Sequence, residues 1–214
     1  MEGKLKEVFL GMKRQETVDL VKKELGSGTD PFAILKECRE AMEETGKRFE
    51  TGEFFLSELI YSAEVFKAVS AILEPGLTSS QAVEDSKGVV VFGTPRGDIH
   101  DLGKNLVITM MRAQGFKVHD LGVDVPPERF IEKLHETEAP VLALSALITP
   151  ALISMRGIIS LLKKRGLREN TFVIIGGGVT TEFARKEVGA DAQTLDPTVA
   201  MRLCSRYIQE KSGR

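Results

Sequence analysis

The sequence has no tryptophan, and only two tyrosines, two cysteines and three histidines in 214 residues. Without Trp and with so little Tyr, a stacking platform for bases or sugars is excluded. Cys38 and Cys204 have no Cys-x-x-Cys spacing and no metal-like neighbours, which argues against a disulfide scaffold or a zinc site. Charge of one sign is missing too: 29 basic and 31 acidic residues give a net of −2. A general nucleic-acid binder needs a basic face, so nucleic acid is not an expected partner. No apolar run approaches the roughly 18 residues of a membrane span. The opening MEGKLKEVFL lacks the apolar stretch of a signal peptide. The expected setting is a reducing cytoplasm, with no membrane partner.

What is present is enough for a core. Apolar residues make up 42% of the chain, which suits one large domain or two small ones. The near-zero net charge hides a division. Residues 1–88 hold 12 basic and 17 acidic side chains and the other 126 hold 17 and 14, so the two parts carry −5 and +3. Opposite signs suggest two modules with different partners.

Residues 1–76 have the spacing of helices. Leu5, Val8, Phe9 and Met12 recur at i, i+3, i+4 and i+7, and Val18, Val21 and Leu25 continue the stripe to Gly26-Ser27-Gly28. Asp30-Pro31 supplies an N-cap and a first-turn proline for a helix with Ile34, Leu35, Cys38, Ala41 and Met42 inward. Phe49, Gly52 and Glu53 mark a bend. Leu56, Leu59, Ile60, Ala63, Phe66 and Val69 form a further stripe that ends at Pro75-Gly76. The expectation is a helical bundle of about four helices. Residues 77–88 are polar and poorly patterned, and read as a linker.

From residue 89 the pattern changes. Short apolar runs at about 89–92, 116–121, 141–145, 172–175 and 191–195 read as strands. Helical stretches follow them at about 104–114, 127–136, 151–165, 180–187 and 197–211. Strand and helix alternate five times. The fold class is therefore α/β: a helical bundle, then a flavodoxin/Rossmann-like, doubly wound parallel sheet over 89–214.

Such sheets bind ligands beyond the C-terminal ends of their strands, near the switch point of strand order. Three segments qualify: Gly93 to Asn105 after the first strand, Ser145 to Pro150 after the third, and Gly176-Gly177-Gly178 after the fourth. The first is long and holds Asp98 two residues before His100. A carboxylate at that spacing can take one imidazole nitrogen, fix the tautomer and leave the other free for a metal. His119 and His135 offer no second ligand at a recognisable spacing. One histidine cannot hold a bare ion, but it suffices for a metal that arrives inside a macrocycle and needs one axial ligand. A lone Asp-x-His is more often a capping Asp beside an exposed His. The glycines weigh against that reading. Gly93, Gly97 and Gly103 let backbone pass close to a bulky ligand, as do Gly176 to Gly178, and Ser145 adds a hydroxyl. Flavin or dinucleotide phosphates are the competing ligands, disfavoured by the absence of Gly-x-Gly-x-x-Gly after the first strand.

Gly97-Asp98-Ile99-His100-Asp101-Leu102-Gly103-Lys104-Asn105 resembles the Asp-x-His-x-x-Gly signature of cobalamin-binding domains. Ser145-Ala146-Leu147 is similar to that family's Ser-x-Leu, and Gly176-Gly177 to its Gly-Gly. Phe49-Glu50-Thr51-Gly52-Glu53-Phe54-Phe55-Leu56 with Glu58-Leu59 resembles the cap of methyl-carrying corrinoid proteins. The resemblance covers about residues 5–210 and is to the corrinoid proteins of anaerobic methyltransferase systems, relatives of the cobalamin module of methionine synthase.

The resemblance implies a cofactor, cobalamin in its methylcobalamin form, bound with its benzimidazole displaced and with His100 as the lower axial ligand to cobalt. Asp98 is implied to tune His100, protonation of the pair favouring loss of the ligand and deprotonation favouring the methylated, six-coordinate state. Gly97, Ile99, Asp101, Gly103, Ser145, Leu147, Thr149 and Gly176 to Gly178 are implied to line the crevice. Phe49, Leu56 and Leu59 are implied to cover the methyl-bearing face; the alternative for these three is plain bundle core. Implied partners are a substrate-specific methyltransferase, a second methyltransferase to a tetrahydropterin or similar acceptor, and a reductive activating protein. The chain departs from the pattern at Ala151, where the methionine synthase module has a serine bonded to the ligand-pair Asp. The relay shortens to His100 and Asp98, with a water expected in place of the hydroxyl. It also has Ser57 where the family often has Pro.

Other readings meet specific obstacles. A subunit of an adenosylcobalamin radical mutase shares the cobalamin motifs but not a cap carrying Phe49 and Leu56. A cobalamin-dependent regulator or photoreceptor usually carries a DNA-binding domain, for which 214 residues leave no room. A receiver-type signalling domain needs a phosphorylatable Asp where this chain has Ser145.

Overall fold

The structure is a computed structural model and describes residues 3–77 and 87–213. The chain divides into two compact units, one of Met1–Ser86 with Ala113–Gly115, the other of Lys87–Arg112 and Phe116–Arg214. Of the expected linker at 77–88, residues 78–86 lie outside the described residues.

The first unit contains α1 (Lys4–Leu10), α2 (Arg14–Gly26), α3 (Pro31–Glu50) and α4 (Leu56–Leu73), followed by a 3-10 turn at Glu74–Gly76. Asp30 caps α3 as the sequence indicates: its carboxylate accepts the Phe32 N–H at 3.1 Å, ahead of Pro31. At the start of α4 the Phe55 N–H donates to Glu58 at 2.9 Å, so an otherwise orphaned amide is satisfied by the third helical residue. The stripe from Leu5 to Leu25 reads as one helix but is two. The chain breaks at Gly11–Lys13, where Met12 takes a left-handed φ of 57°. The spacing carried the sign of it: Val18 follows Met12 by six residues, so Val18, Val21 and Leu25 would lie on the side of a single helix opposite Leu5, Phe9 and Met12. Phe9, Val21, Cys38, Ala41, Leu59, Val69 and Leu73 have no exposed surface, and the buried Thr45 hydroxyl donates to the Ala41 carbonyl at 3.0 Å. Each such large apolar side chain contributes about 1.5–3 kcal/mol by leaving water.

The second unit alternates β1 (Gly88–Gly93), α5 (Leu102–Ala113), β2 (Phe116–Asp120), α6 (Pro127–Thr137), β3 (Val141–Ser145), α7 (Pro150–Lys164), β4 (Phe172–Gly176), α8 (Glu182–Val188), β5 (Ala192–Gln193) and α9 (Pro197–Ser212). The strands form one parallel sheet in the order β2-β1-β3-β4-β5. β3 is central and buried on both faces, which explains its unbroken apolar run. Val91, Leu142, Leu144, Val173 and Ile175 pack on one face with Phe130, Met155, Ile158, Ile159 and Leu162 from α6 and α7. Phe172 at the start of β4 stacks on Tyr207 of α9, with ring centroids 4.9 Å apart. β5 is shorter than its expected span, only two residues.

Gly93 has a different use from the one expected of it. A Cβ there would lie 2.8 Å from the Phe130 ring, so its smallness serves packing under α6 rather than a ligand. Cys38 and Cys204 are inert core side chains, each thiol pushed up to about 12 by burial, with Glu37 adding to the effect at Cys38. Among the described residues no helix is long and apolar enough to cross a membrane.

His119 on β2 buries its Nε2 without a hydrogen-bond partner. Burial, then the charges of Lys117, Lys133 and Arg112, lower its pKa, while Glu136 opposes them. An unfolded histidine titrates near pH 6.5, above the folded value. The unfolded chain therefore binds the proton first, and stability falls as pH drops through and below about 6.5. Denaturant midpoints at pH 7.5 and 5.5 are expected to differ less in His119→Phe than in the wild type. An equal slope in both proteins refutes this.

Candidate functional site

The strand order places the switch point between β1 and β3, and β4 lies beside β3. The segments leaving β1, β3 and β4 therefore open at one edge of the sheet. This brings together Gly97, Asp98, Ile99, His100, Asp101 and Gly103, then Ser145, Leu147 and Thr149, then Gly176, Gly177 and Gly178. Ser145 pairs in register with Gly176.

At the centre is Asp98, whose side chain has no exposed surface. Its Oδ1 accepts the His100 backbone N–H at 3.0 Å and lies 2.7 Å from His100 Nδ1. Its Oδ2 accepts the backbone N–H groups of Leu147 at 2.7 Å and Ile148 at 3.2 Å. Burial opposes a charge here, but these bonds outweigh it and hold the carboxyl below its ordinary value. An ionised Asp98 facing Nδ1 makes that nitrogen the proton-bearing one, which leaves Nε2 with its lone pair. The His100 side chain is 51% exposed, so Nε2 is accessible.

The second oxygen of Asp98 is held differently from the expected relay. Ala151, on α7, is fully buried in the core, and this oxygen accepts from two main-chain amides, those of Leu147 and Ile148. No residue type marks them, because any chain supplies amides; the only sequence signal is the break of Ser145–Pro150 between strand and helix.

The loop has further anchors. The buried Lys104 places its Nζ 2.8 Å from both carboxylate oxygens of Asp120 and 2.8 Å from Asn105 Oδ1. Asn105 in turn donates to the Asp101 carboxylate at 2.9 Å. The start of α5 is thus tied to the end of β2. Ile99 and Leu102 flank His100 with 73% and 69% of their surface exposed, and Leu147 is 50% exposed. Leu102, the first residue of α5, and Val123, 36% exposed after β2, were missed by sequence reasoning. Among the described residues, no three His, Cys, Asp or Glu side chains gather to hold a bare metal ion.

Residues 88–200 match the B12 binding domain, and residues 1–74 match a second family described as B12 binding domain. The chain belongs to the B12-binding family. Its cofactor is cobalamin, with cobalt. The dimethylamine corrinoid protein 3 of Methanosarcina acetivorans is 37% identical over 204 residues, which are 94% of this B12-binding chain and 95% of that one. A cobalamin-binding protein from Desulfitobacterium hafniense DCB-2 superposes with a TM-score of 0.70 at 32% identity, covering 95% and 96% of the two chains. The methanol:cobalamin methyltransferase complex of Methanosarcina barkeri gives a TM-score of 0.82 at 21% identity over 96% of this chain and 78% of that one, a likeness of fold.

The residues at this end of the sheet would fit such a cofactor: one accessible, oriented imidazole nitrogen is present that could ligate a cobalt already held in a macrocycle. The apolar Ile99, Leu102 and Leu147 suit a macrocycle's face. A Cβ on Gly103 would meet nothing within 4 Å, so this glycine leaves open space rather than relieving a clash. On the helical unit, Leu59 is fully buried in the bundle, Phe49 is partly buried, and Leu56 is exposed beside the exposed Phe55.

Proposed function

We propose that this chain is a methyl carrier: it holds a corrinoid base-off through His100 Nε2 and serves two methyltransferases in turn. The observation that carries the reading is the four-fold anchoring of Asp98, which commits the His100 ring to one tautomer and presents Nε2. Bound cobalt supplies a centre that accepts and releases a methyl group. The chain's own residues do the rest. Asp98 orients the ring and stabilises its Nδ1–H. Ile99, Leu102 and Leu147 would exclude water from the lower face, and Ser145, Thr149 and Gly176 to Gly178 would line the path of the displaced nucleotide tail, with Gly97, Asp101 and Gly103 shaping the loop. Phe49 and Leu56 would meet the methyl-bearing face, with Leu59 bracing Leu56 from inside the bundle.

The relatives' names support a methyltransferase system, and a cytoplasmic setting is part of the proposal. A methylamine-specific methyltransferase is the first partner to test, followed by a second enzyme that moves the methyl group to a tetrahydropterin or a similar acceptor. A reductive activating protein completes the set.

Reconstitution with cobalamin is expected to give the base-off, nitrogen-ligated absorbance spectrum. His100→Ala should lose that spectrum and bind at least about tenfold more weakly, with its folding intact. The methylated protein, mixed with candidate methyltransferases, should lose its methyl-cobalt absorbance only with a cognate one. Wild-type spectrum and affinity in His100→Ala would sink the ligand assignment. A requirement for the adenosyl form would replace the carrier reading with a mutase one.

A further inference from the structure

The segment after β2, Leu121 to Val125, held no candidate residue in the sequence, yet it is laced to the His100 loop. The Thr94 N–H donates to the Gly122 carbonyl at 2.9 Å, the Val125 N–H to Thr94 at 3.0 Å, and the Arg96 N–H to Val125 at 2.9 Å. Pro95 and Val125 form a parallel bridge, so the pairing of β1 with β2 continues past the ends of both strands.

Asp124 sits within this lacing with φ at 53°, in the left-handed region, which Asp enters more readily than most residues because its short side chain can hydrogen-bond nearby backbone. Its Oδ1 accepts the Gly97 N–H at 2.7 Å, and its own N–H donates to the Asp98 carbonyl at 2.9 Å. Gly97 has φ of 91°, and a Cβ there would meet nothing within 4 Å, so glycine is needed for conformation and not for space. One residue on a neighbouring loop thus holds the two-residue segment Gly97-Asp98 at both ends, through the Gly97 N–H and the Asp98 carbonyl. That segment sets where the Asp98 carboxylate begins, and through it the His100 ring.

We propose that Asp124 is a positioning residue of the cobalamin site: by holding the Gly97 N–H and the Asp98 carbonyl it aims the Asp98 carboxylate and the His100 ring. The proposal rests on His100 being the axial ligand. It also gives Asp124's left-handed conformation a use, since at φ 53° both its carboxylate and its amide engage the His100 loop.

The test uses two variants of the whole chain. Asp124→Gly relieves the backbone and removes the acceptor. Asp124→Asn tolerates the left-handed region and keeps a carbonyl oxygen for the Gly97 N–H. Each is loaded with cobalamin reduced to cobalt(II). Its electron paramagnetic resonance spectrum is recorded, because one axial nitrogen splits each cobalt line into three. Affinity and the urea midpoint of the unloaded protein are measured alongside. Expected are a triplet in the wild type and in Asp124→Asn. Asp124→Gly should lose or blur the triplet and bind at least about tenfold more weakly, with a midpoint near that of the wild type. A triplet and affinity in Asp124→Gly equal to those of the wild type overturn the proposal. So does a fall in affinity matched by a fall in midpoint with the triplet retained, which marks a purely structural role. A wild type without the triplet overturns the His100 ligation itself, and this inference with it.

Discussion

Asp98→Asn is expected to be about 2–4 kcal/mol less stable than the wild type and to bind cobalamin at least about tenfold more weakly. The reason lies in what surrounds the carboxylate. Its partners are all donors: the His100 N–H and Nδ1–H on one oxygen, the Leu147 and Ile148 N–H groups on the other. An asparagine offers one acceptor end and one donor end. With its carbonyl toward His100, its amino group faces two main-chain donors that then lack an acceptor. With its amino group toward His100, Nδ1 must give up its proton and accept, so the proton moves to Nε2. The nitrogen assigned to cobalt is then blocked. Each orientation leaves part-buried donors unpaired, at about 1–3 kcal/mol apiece. The variant is near-isosteric, so the loss cannot be assigned to a cavity. Denaturant melts and cobalamin titration check both halves of the expectation; an Asn variant with the wild-type midpoint and nitrogen-ligated spectrum refutes it. A pH series adds a sign. Because the folded carboxyl is held below its ordinary value, its contribution is in full above about pH 4. It is lost as pH falls through the folded value, and Asp98→Asn should lack that part of the acid sensitivity.

This site was half legible in the sequence, for a physical reason. Asp98, His100 and the glycines carry side-chain chemistry or its deliberate absence, and strand spacing put their loops at one edge of a sheet. The amides of Leu147 and Ile148 carry no such mark, being 49 and 50 residues from Asp98 and present in any chain. Asp124 was passed over because the switch-point rule picked the loops after the first, third and fourth strands. In the order β2-β1-β3-β4-β5 the second strand also borders β1. Had the order been known, an Asp two residues after Gly122 and two before Pro126 would have been a natural candidate. The break at Met12 was legible but passed over: the six-residue step from Met12 to Val18 moves the apolar positions to the other side of a single helix. Gly93 shows the limit of reading glycine as ligand space, since its room is taken by Phe130.

Gly177→Ala is expected to cost more than about 3 kcal/mol, because two separate demands meet at one residue. Its φ is 100°, which an alanine resists at about 1–2 kcal/mol. A Cβ would also overlap the Ala146 carbonyl, with the Ala146 N and C atoms 2.9 Å away. Neither side can yield easily. The Ala146 N–H donates to the Gly176 carbonyl at 2.9 Å, and the Gly177 carbonyl accepts the Thr180 N–H and hydroxyl, both at 2.8 Å. Pushing Ala146 aside also displaces Leu147, whose amide holds Asp98, so the damage should reach cobalamin binding as well as folding. Two neighbours serve as controls. Gly97→Ala meets the conformational demand alone, at φ 91° with open space around the Cβ, and should cost about 1–2 kcal/mol. Gly178→Ala meets only the Cδ1 tip of Leu147 at 2.8 Å, a flexible end that can swing away, and should cost least. The order Gly177, Gly97, Gly178 in urea midpoints separates backbone overlap from backbone strain. If Gly177→Ala falls no further than Gly97→Ala, the close crossing of the segments after β3 and β4 is not what the glycine serves. The demand for smallness would then have to come from the bound nucleotide tail, and would show only in the loaded protein.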